Sequence, residues 1–384
     1  MIRQNHFFLP LATASLFVLG FMSCTPKDNS EDPFSRSDIL SHRGFAQVLS
    51  SLDMDAENLS EVYDAVSESS INGYDEEYML SDLIASPGSG VGASSTTKAS
   101  RKTYSRPLRN MLQEYLEQFS TKSGGPMTVQ RYLELLSDSK MQIYWPYSDQ
   151  WDGKTFPVIT FDPGDGSESN YGYFLSDDGM SLDSILVTER VAQERPVWVV
   201  NLNDDSLYTP LESLDPFLPT GTKAQEEGSK VLRLKSFKMY RNYDSWLAGA
   251  SEFFLKCGAV NGFRATKDED LLLYNPSVTD CMIVVRRSQL GRTLPFDSIL
   301  LTDFTPQMEN IAFLIHEDDG GTTTEWKCEA VVKYNSKSYG FTINIPYKDR
   351  DDIVWRGSLS RDFLLSGSNR PFRMGDVEIV LELE

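Results

Sequence analysis

The chain is poor in the residues on which most metal-dependent and nucleophilic enzymes rely. Among 384 residues there are three histidines, His6, His42 and His316, so a site built on two imidazoles needs two of those three to meet. Cysteine is equally scarce. Cys257, Cys281 and Cys328 fall in the C-terminal part without the close spacing of a zinc site, and three thiols leave at most one disulfide among themselves. Their places in apolar runs predict small core residues. No His-Glu-x-x-His, Gly-x-Ser-x-Gly, phosphate-binding loop or Gly-x-Gly-x-x-Gly is present, so the common hydrolase and nucleotide-dependent chemistries lack their signatures. Basic runs are missing too: 36 Lys+Arg stand against 56 Asp+Glu, a formal charge of −20. That charge repels polyanions, which excludes nucleic acid as a partner and disfavours adhesion of the polypeptide to anionic lipid.

What is present begins at the N-terminus. Arg3 precedes an apolar stretch over 7–22, which is shorter than the roughly 20 residues that span a bilayer. The segment Phe21-Met22-Ser23-Cys24 follows. This arrangement resembles the signal peptide of bacterial lipoproteins, whose cleavage before the cysteine leaves a lipid on it. The resemblance implies a signal peptide over 1–23, lipidation at Cys24 and a membrane anchor supplied by several acyl chains, since one chain alone binds only marginally. It places the protein in the cell envelope, at the outer membrane, with the periplasmic or the surface face left open. The acidic tether behind Cys24 is similar to the surface-export signal of Bacteroidetes lipoproteins.

Apolar periodicity predicts an α+β multi-domain chain. Over 24–104 a tether leads into helices with stripes at Ile39, Phe45, Val48 and Leu49 and at Leu59, Val62, Tyr63 and Val66, then into a Ser/Gly-rich linker. A mixed α+β domain is expected over 105–228. Its first helix has Ser105 as N-cap, Pro107 in the first turn and one stripe of Leu108, Met111, Leu112, Tyr115, Leu116 and Phe119. From 229 to 384 short runs of period two, punctuated by turn residues, predict an antiparallel β-sandwich; a strand over 270–274 is one of them.

Chemistry has two candidate addresses. Three acidic loops in the sandwich region contain Asp244, Asp318 with Asp319, and Asp351 with Asp352, and Glu252 lies close to the first. Carboxylates on loops suit calcium, which takes six to eight oxygen ligands, so these six residues are candidate calcium ligands. In architecture and loop acidity the region 229–384 resembles the C2-type sandwiches. The second address is aromatic. Tyr144, Trp145, Tyr147 and Trp151 surround one loop as a candidate stacking platform for a glycan or a groove for a peptide. Asp149, Asp152, Asp162 and Asp165 are the nearby candidates for acid/base pairing in a hydrolase.

The stretches Gln142-Ile143-Tyr144-Trp145-Pro146-Tyr147, Pro196-Val197-Trp198-Val199-Val200-Asn201 and Trp246-Leu247-Ala248-Gly249-Ala250 resemble lipoproteins of Bacteroidetes that have no assigned activity. The expectation is a lipid-anchored envelope protein with a binding or scaffold role, stabilised by calcium, with a glycan, a peptide or an envelope protein as partner. A hydrolase using paired carboxylates and an assembly partner for another envelope protein are the alternatives.

Overall fold

The computed structural model describes residues 39–85, 104–123, 127–176, 179, 181–203, 208–213 and 230–384. Cys24, the signal stretch and the Ser/Gly-rich linker lie outside the described residues. The chain from 36 to 384 is one compact unit, and its architecture is α+β. No described helix is long and apolar enough to cross a membrane.

The first half contains α1 (His42–Ser51), α2 (Ala56–Ile71), β1 (Glu77–Met79), α3 (Leu80–Ile84), α4 (Leu108–Ser123), α5 (Val129–Ser137), β2 (Met141–Tyr144), β3 (Val158–Phe161), β4 (Ser169–Leu175), β5 (Leu182–Thr188), α6 (Glu189–Glu194) and β6 (Val197–Leu202). Local chemistry sets the helix starts. The Ser41 hydroxyl caps α1, and Asp55 with Asn58 closes a capping box on α2. Helix α4 begins at Leu108, two residues later than a Ser105 cap implies. The reason is that Ser105 turns its N–H and hydroxyl to Glu57, and the Pro107 carbonyl takes over as first acceptor.

The six strands form one mixed sheet in the order β1-β2-β6-β3-β4-β5, in which β3 and β6 run parallel. Helices of the expected N-terminal segment and of the expected middle domain share a single core on this sheet. Phe45, Leu59 and Val62 pack with Leu112, Leu133, Trp145 and Trp198. The boundary expected between 104 and 105 therefore divides the sequence but not the core, and the described residues of 39–203 form one lobe.

The second half is the antiparallel sandwich. It contains β7 (Lys230–Met239), β8 (Ser251–Ala259), β9 (Ser277–Val285), β10 (Leu294–Phe304), β11 (Met308–Glu317), β12 (Thr323–Tyr334), β13 (Lys337–Lys348), β14 (Asp352–Ser360), α7 (Arg361–Gly367), β15 (Arg370–Met374) and β16 (Val377–Leu383). One sheet is ordered β10-β7-β16-β15; the other runs β13-β12-β11-β8-β9, with β14 on the free side of β11. Phe237, Phe253, Phe313 and Ile379 belong to the core between them. The hairpin β12–β13, turned by Asn335 and Ser336 at positive φ, folds over the outer face of β8. There Lys256 Nζ donates to the Pro346 carbonyl at 2.8 Å, and a Cβ on Gly258 would meet Ile343 at 3.1 Å.

Residues 270–274 are not a strand. The Asp270 carboxylate accepts from the Thr266 and Lys267 N–H groups, which closes a turn of 3₁₀ helix over Asp268–Leu273 and leaves Leu272 and Leu273 exposed. A short helix, α7, also interrupts a region that reads as strands and turns alone; Ser360 caps it through the Phe363 N–H.

Candidate metal centre

The three acidic loops of the sandwich meet at one end. Strand β8 begins there, β11 ends there and β14 begins there, so that Glu317 lies across from Phe253 on one side and from Asp352 on the other. The loop leading into β8 carries Asp244. Sequence alone does not place these loops on a common end; the antiparallel register does.

The six expected ligands then separate by their partners. Lys348 Nζ donates to both oxygens of Asp318, at 2.7 and 2.6 Å. The N–H groups of Lys348 and Asp319 donate to Asp351. Asp352 lies 3.5 Å from the Arg241 guanidinium on the exposed rim. Asp318, Asp351 and Asp352 are thus already neutralised or bonded by the protein. Asp319 remains beside the cluster: burial, then the charges of Asp244 and Asp352, lift its carboxyl to about 6.

Asp244 and Glu252 converge with a third residue outside the expected ligand set, Glu317. One oxygen from each of the three carboxylates lies within 4.8 Å of the others. Glu317 is 0 % exposed, and neither of its carboxylate oxygens has a hydrogen-bond donor. Burial, then contact with Asp244, raises its carboxyl far above the ordinary carboxylate range. A buried carboxylate with only carboxylates for company needs a proton or a cation.

Oxygens on opposite sides of a calcium ion are about 4.6–5.2 Å apart, so a group gathered within 4.8 Å has room for one such ion or for a smaller cation.

A period-two reading of β11 carries the signal for Glu317. Phe313, Ile315 and Glu317 face Cys257, Leu255 and Phe253 across the ladder, all three in the sandwich core. A carboxylate in phase with core residues is the sequence mark of this site.

The two described histidines, His42 and His316, do not make a metal pair. His42 Nδ1 lies 3.0 Å from the Asp162 carbonyl in the first lobe, and His316 stacks on Phe254 in the sandwich. His316 Nδ1 is also 2.8 Å from Asp351 Oδ2, a separation that suggests an ion pair. The alignment for an N–H bond is missing, however, since both ring nitrogens lack a partner. Burial, then the charges of Lys256 and Lys348, holds the imidazole down at about 3, so it is neutral.

The aromatic address is core rather than platform. Tyr144, Trp145 and Tyr147 are buried and Trp151 is half-buried. Trp145 packs edge-on against Tyr63, Trp151 and Trp198. Tyr147 adopts φ +61°, unusual for a large side chain, and is fixed by its N–H to Glu76 and its hydroxyl to Glu189. Trp151, the half-buried ring of the four, is held by its indole N–H, which donates to the Thr155 carbonyl at 3.0 Å. Of the acid/base candidates, Asp152, Asp162 and Asp165 each accept N–H groups two or three residues onward and so close local turns. The three remaining cysteines are free thiols: Cys257 and Cys281 are buried, and Cys328 is half-buried.

No protein-family model matches the chain, and no curated protein or solved structure matches it significantly. The functional reading therefore rests on this geometry.

Proposed function

We propose that the chain is a lipid-anchored cell-envelope protein with a binding or scaffold role, and that Asp244, Glu252 and Glu317 hold calcium at one end of its sandwich. The observation that carries the metal reading is Glu317: a fully buried carboxylate, without a donor, aimed at two other carboxylates. The role of the ion is structural. It replaces mutual repulsion of three negative groups by attraction to a common centre, tying the loop before β8 to the end of β11. The anchor is the lipid expected on Cys24, because the acidic polypeptide itself is repelled by anionic lipid.

Thermal unfolding of the full chain in detergent, with millimolar calcium and then with chelator, tests the metal reading. Calcium raises the melting temperature of the parent and leaves Glu317→Gln unmoved; equal temperatures in both conditions for the parent overturn the reading. The anchor has its own test. Growth on labelled palmitate marks the parent and not Cys24→Ala, and an unlabelled parent removes the lipid from the argument.

A further inference from the structure

The first lobe has a cavity of its own, about 210 Å³, where the end of α1 meets strands β3 and β4. Leu52 and Met54 wall it from the turn between α1 and α2, Phe156 and Ile159 from β3 and the segment before it, and Tyr173 from β4. Ile159 lies across the ladder from Tyr173. Leu52 and Ile159 are buried and Phe156 is 47 % exposed, so the pocket runs from the core out to solvent. Benzene fits a cavity of about 150 Å³ lined by such residues. The space here holds a body slightly larger than one ring, and the Met54 thioether can adapt to its shape. The Ser50 hydroxyl also lines it but already donates to the Ala46 carbonyl at 2.7 Å.

One cation borders this apolar space, Arg195. Local structure places it there. Pro196 keeps Arg195 extended and so ends α6. Strand β6 then runs parallel to β3, with the Val158 N–H donating to the Pro196 carbonyl at 3.1 Å. Arg195 Nη2 donates to the Phe156 carbonyl at 3.1 Å, and its Nε is buried without an acceptor. The adjacent Glu194 lies 4.0 Å from Arg190 instead. Among the described residues Arg195 forms no ion pair, in a chain with 56 Asp+Glu against 36 Lys+Arg. A guanidinium carries five N–H donors in a planar fork that matches a carboxylate, and one bond to a carbonyl leaves most of that fork unused. Asp53, exposed, is the other charged residue of the lining. One guanidinium with a carboxylate nearby suits a monoanion better than the double charge of a phosphate ester.

We infer that this pocket binds a small monocarboxylic acid, with an apolar body about the size of one aromatic ring against Leu52, Met54 and Tyr173 and its carboxylate on Arg195. Removing the body from water drives binding, and the carboxylate supplies the anion that the fold does not. Every lining residue belongs to the first lobe, so this site needs neither calcium nor the acidic end of the sandwich.

Calorimetric titration of the full chain with phenylacetate, in chelator, tests the site against its neutral counterpart phenylacetamide. We expect saturable binding of phenylacetate and binding of the amide weaker by about tenfold or more, the scale of a hydrogen bond to a charged group. Arg195→Gln should lose about as much affinity for phenylacetate and little for the amide. Asp53→Asn, at an exposed position, should tighten phenylacetate binding by about two- to fivefold, the scale of an exposed charge interaction. It serves should Arg195→Gln fail to fold. Equal binding of acid and amide, unchanged in both variants, takes the carboxylate off Arg195 and overturns the assignment. No saturable binding of phenylacetate at millimolar concentration overturns it outright, whatever calcium does at the other lobe.

Discussion

On the outer side of β11, His316 stacks on Phe254 and Asp318 is held by Lys348; on the inner side, the next residue along, Glu317, faces Asp244 and Glu252 with no donor at all. The two carboxylates are neighbours in sequence and similar in burial, yet one is a finished ion pair and the other an open acceptor set. Their difference comes from strand geometry: successive side chains leave opposite faces of a sheet. The outer face is covered by the hairpin β12–β13, which brings Lys348. The inner face closes on the loop before β8, which brings another acid. An acidic run therefore carries no fixed meaning. What matters is which covering element arrives on each face and with what charge.

Removing the cation is the strongest way to break this contrast. A ligand bound only by the folded state adds about 2.7 kcal/mol at a hundred times its dissociation constant and about 4.1 kcal/mol at a thousand times. We expect calcium to give the parent a stabilisation of that order and Glu317→Gln none. In chelator the variant should be about as stable as the parent, because burial keeps the metal-free Glu317 carboxyl protonated and an amide can donate to Asp244 as that carboxyl does. Denaturant unfolding of both proteins with and without calcium measures this. A parent indifferent to calcium would make the inner cluster a proton-sharing group.

The outer cluster should respond in the opposite sense. Lys348→Met leaves Asp318 without its cation. Breaking a buried pair costs about 3–5 kcal/mol; the Lys348 side chain is 26 % exposed, so water recovers part and about 2–3 kcal/mol is expected. The calcium response should persist. Adding Asp318→Asn to Lys348→Met should restore much of the loss, and a double-mutant cycle separates this from general damage. A calcium response lost in Lys348→Met alone would join the two clusters into one site.

Much of this fold is legible in the chain. The stripe at Leu108, Met111, Leu112 and Leu116 is buried as its spacing requires, and the C-terminal strands form the sandwich their alternation implies. Local chemistry overrode pattern at 270–274, where one Asp270 carboxylate gathers the N–H groups of a turn. The aromatic loop shows a different limit. Trp145 reads the same in a binding platform as in a core, and only its contacts with Tyr63, Trp151 and Trp198 decide. At the metal centre, composition gives the acidic loops and Asp244 and Glu252 with them. Glu317 needed the phase of β11, and its meeting with Asp244 and Glu252 needed the pairing of β11 with β8, which no local pattern encodes.

The smallest effect concerns His316, and its sign sharpens the contrast further. The folded protein refuses the proton until about pH 3, while the unfolded chain accepts it near 6.5. The unfolded state therefore binds more protons between those values, and stability contributed by the neutral ring is present above pH 6.5 and lost as pH falls toward 3. At pH 5 the loss is about 2 kcal/mol, since each unit is worth about 1.36 kcal/mol. His316→Phe keeps a flat ring on Phe254 and cannot titrate, so its stability should decline less than the parent's between pH 7 and pH 5. The comparison is best made in chelator, where calcium linkage does not contribute. Parallel decline in parent and variant would mean that His316 charges within the fold and pairs with Asp351 2.8 Å away. The outer face would then carry two ion pairs, Asp318 with Lys348 and Asp351 with His316.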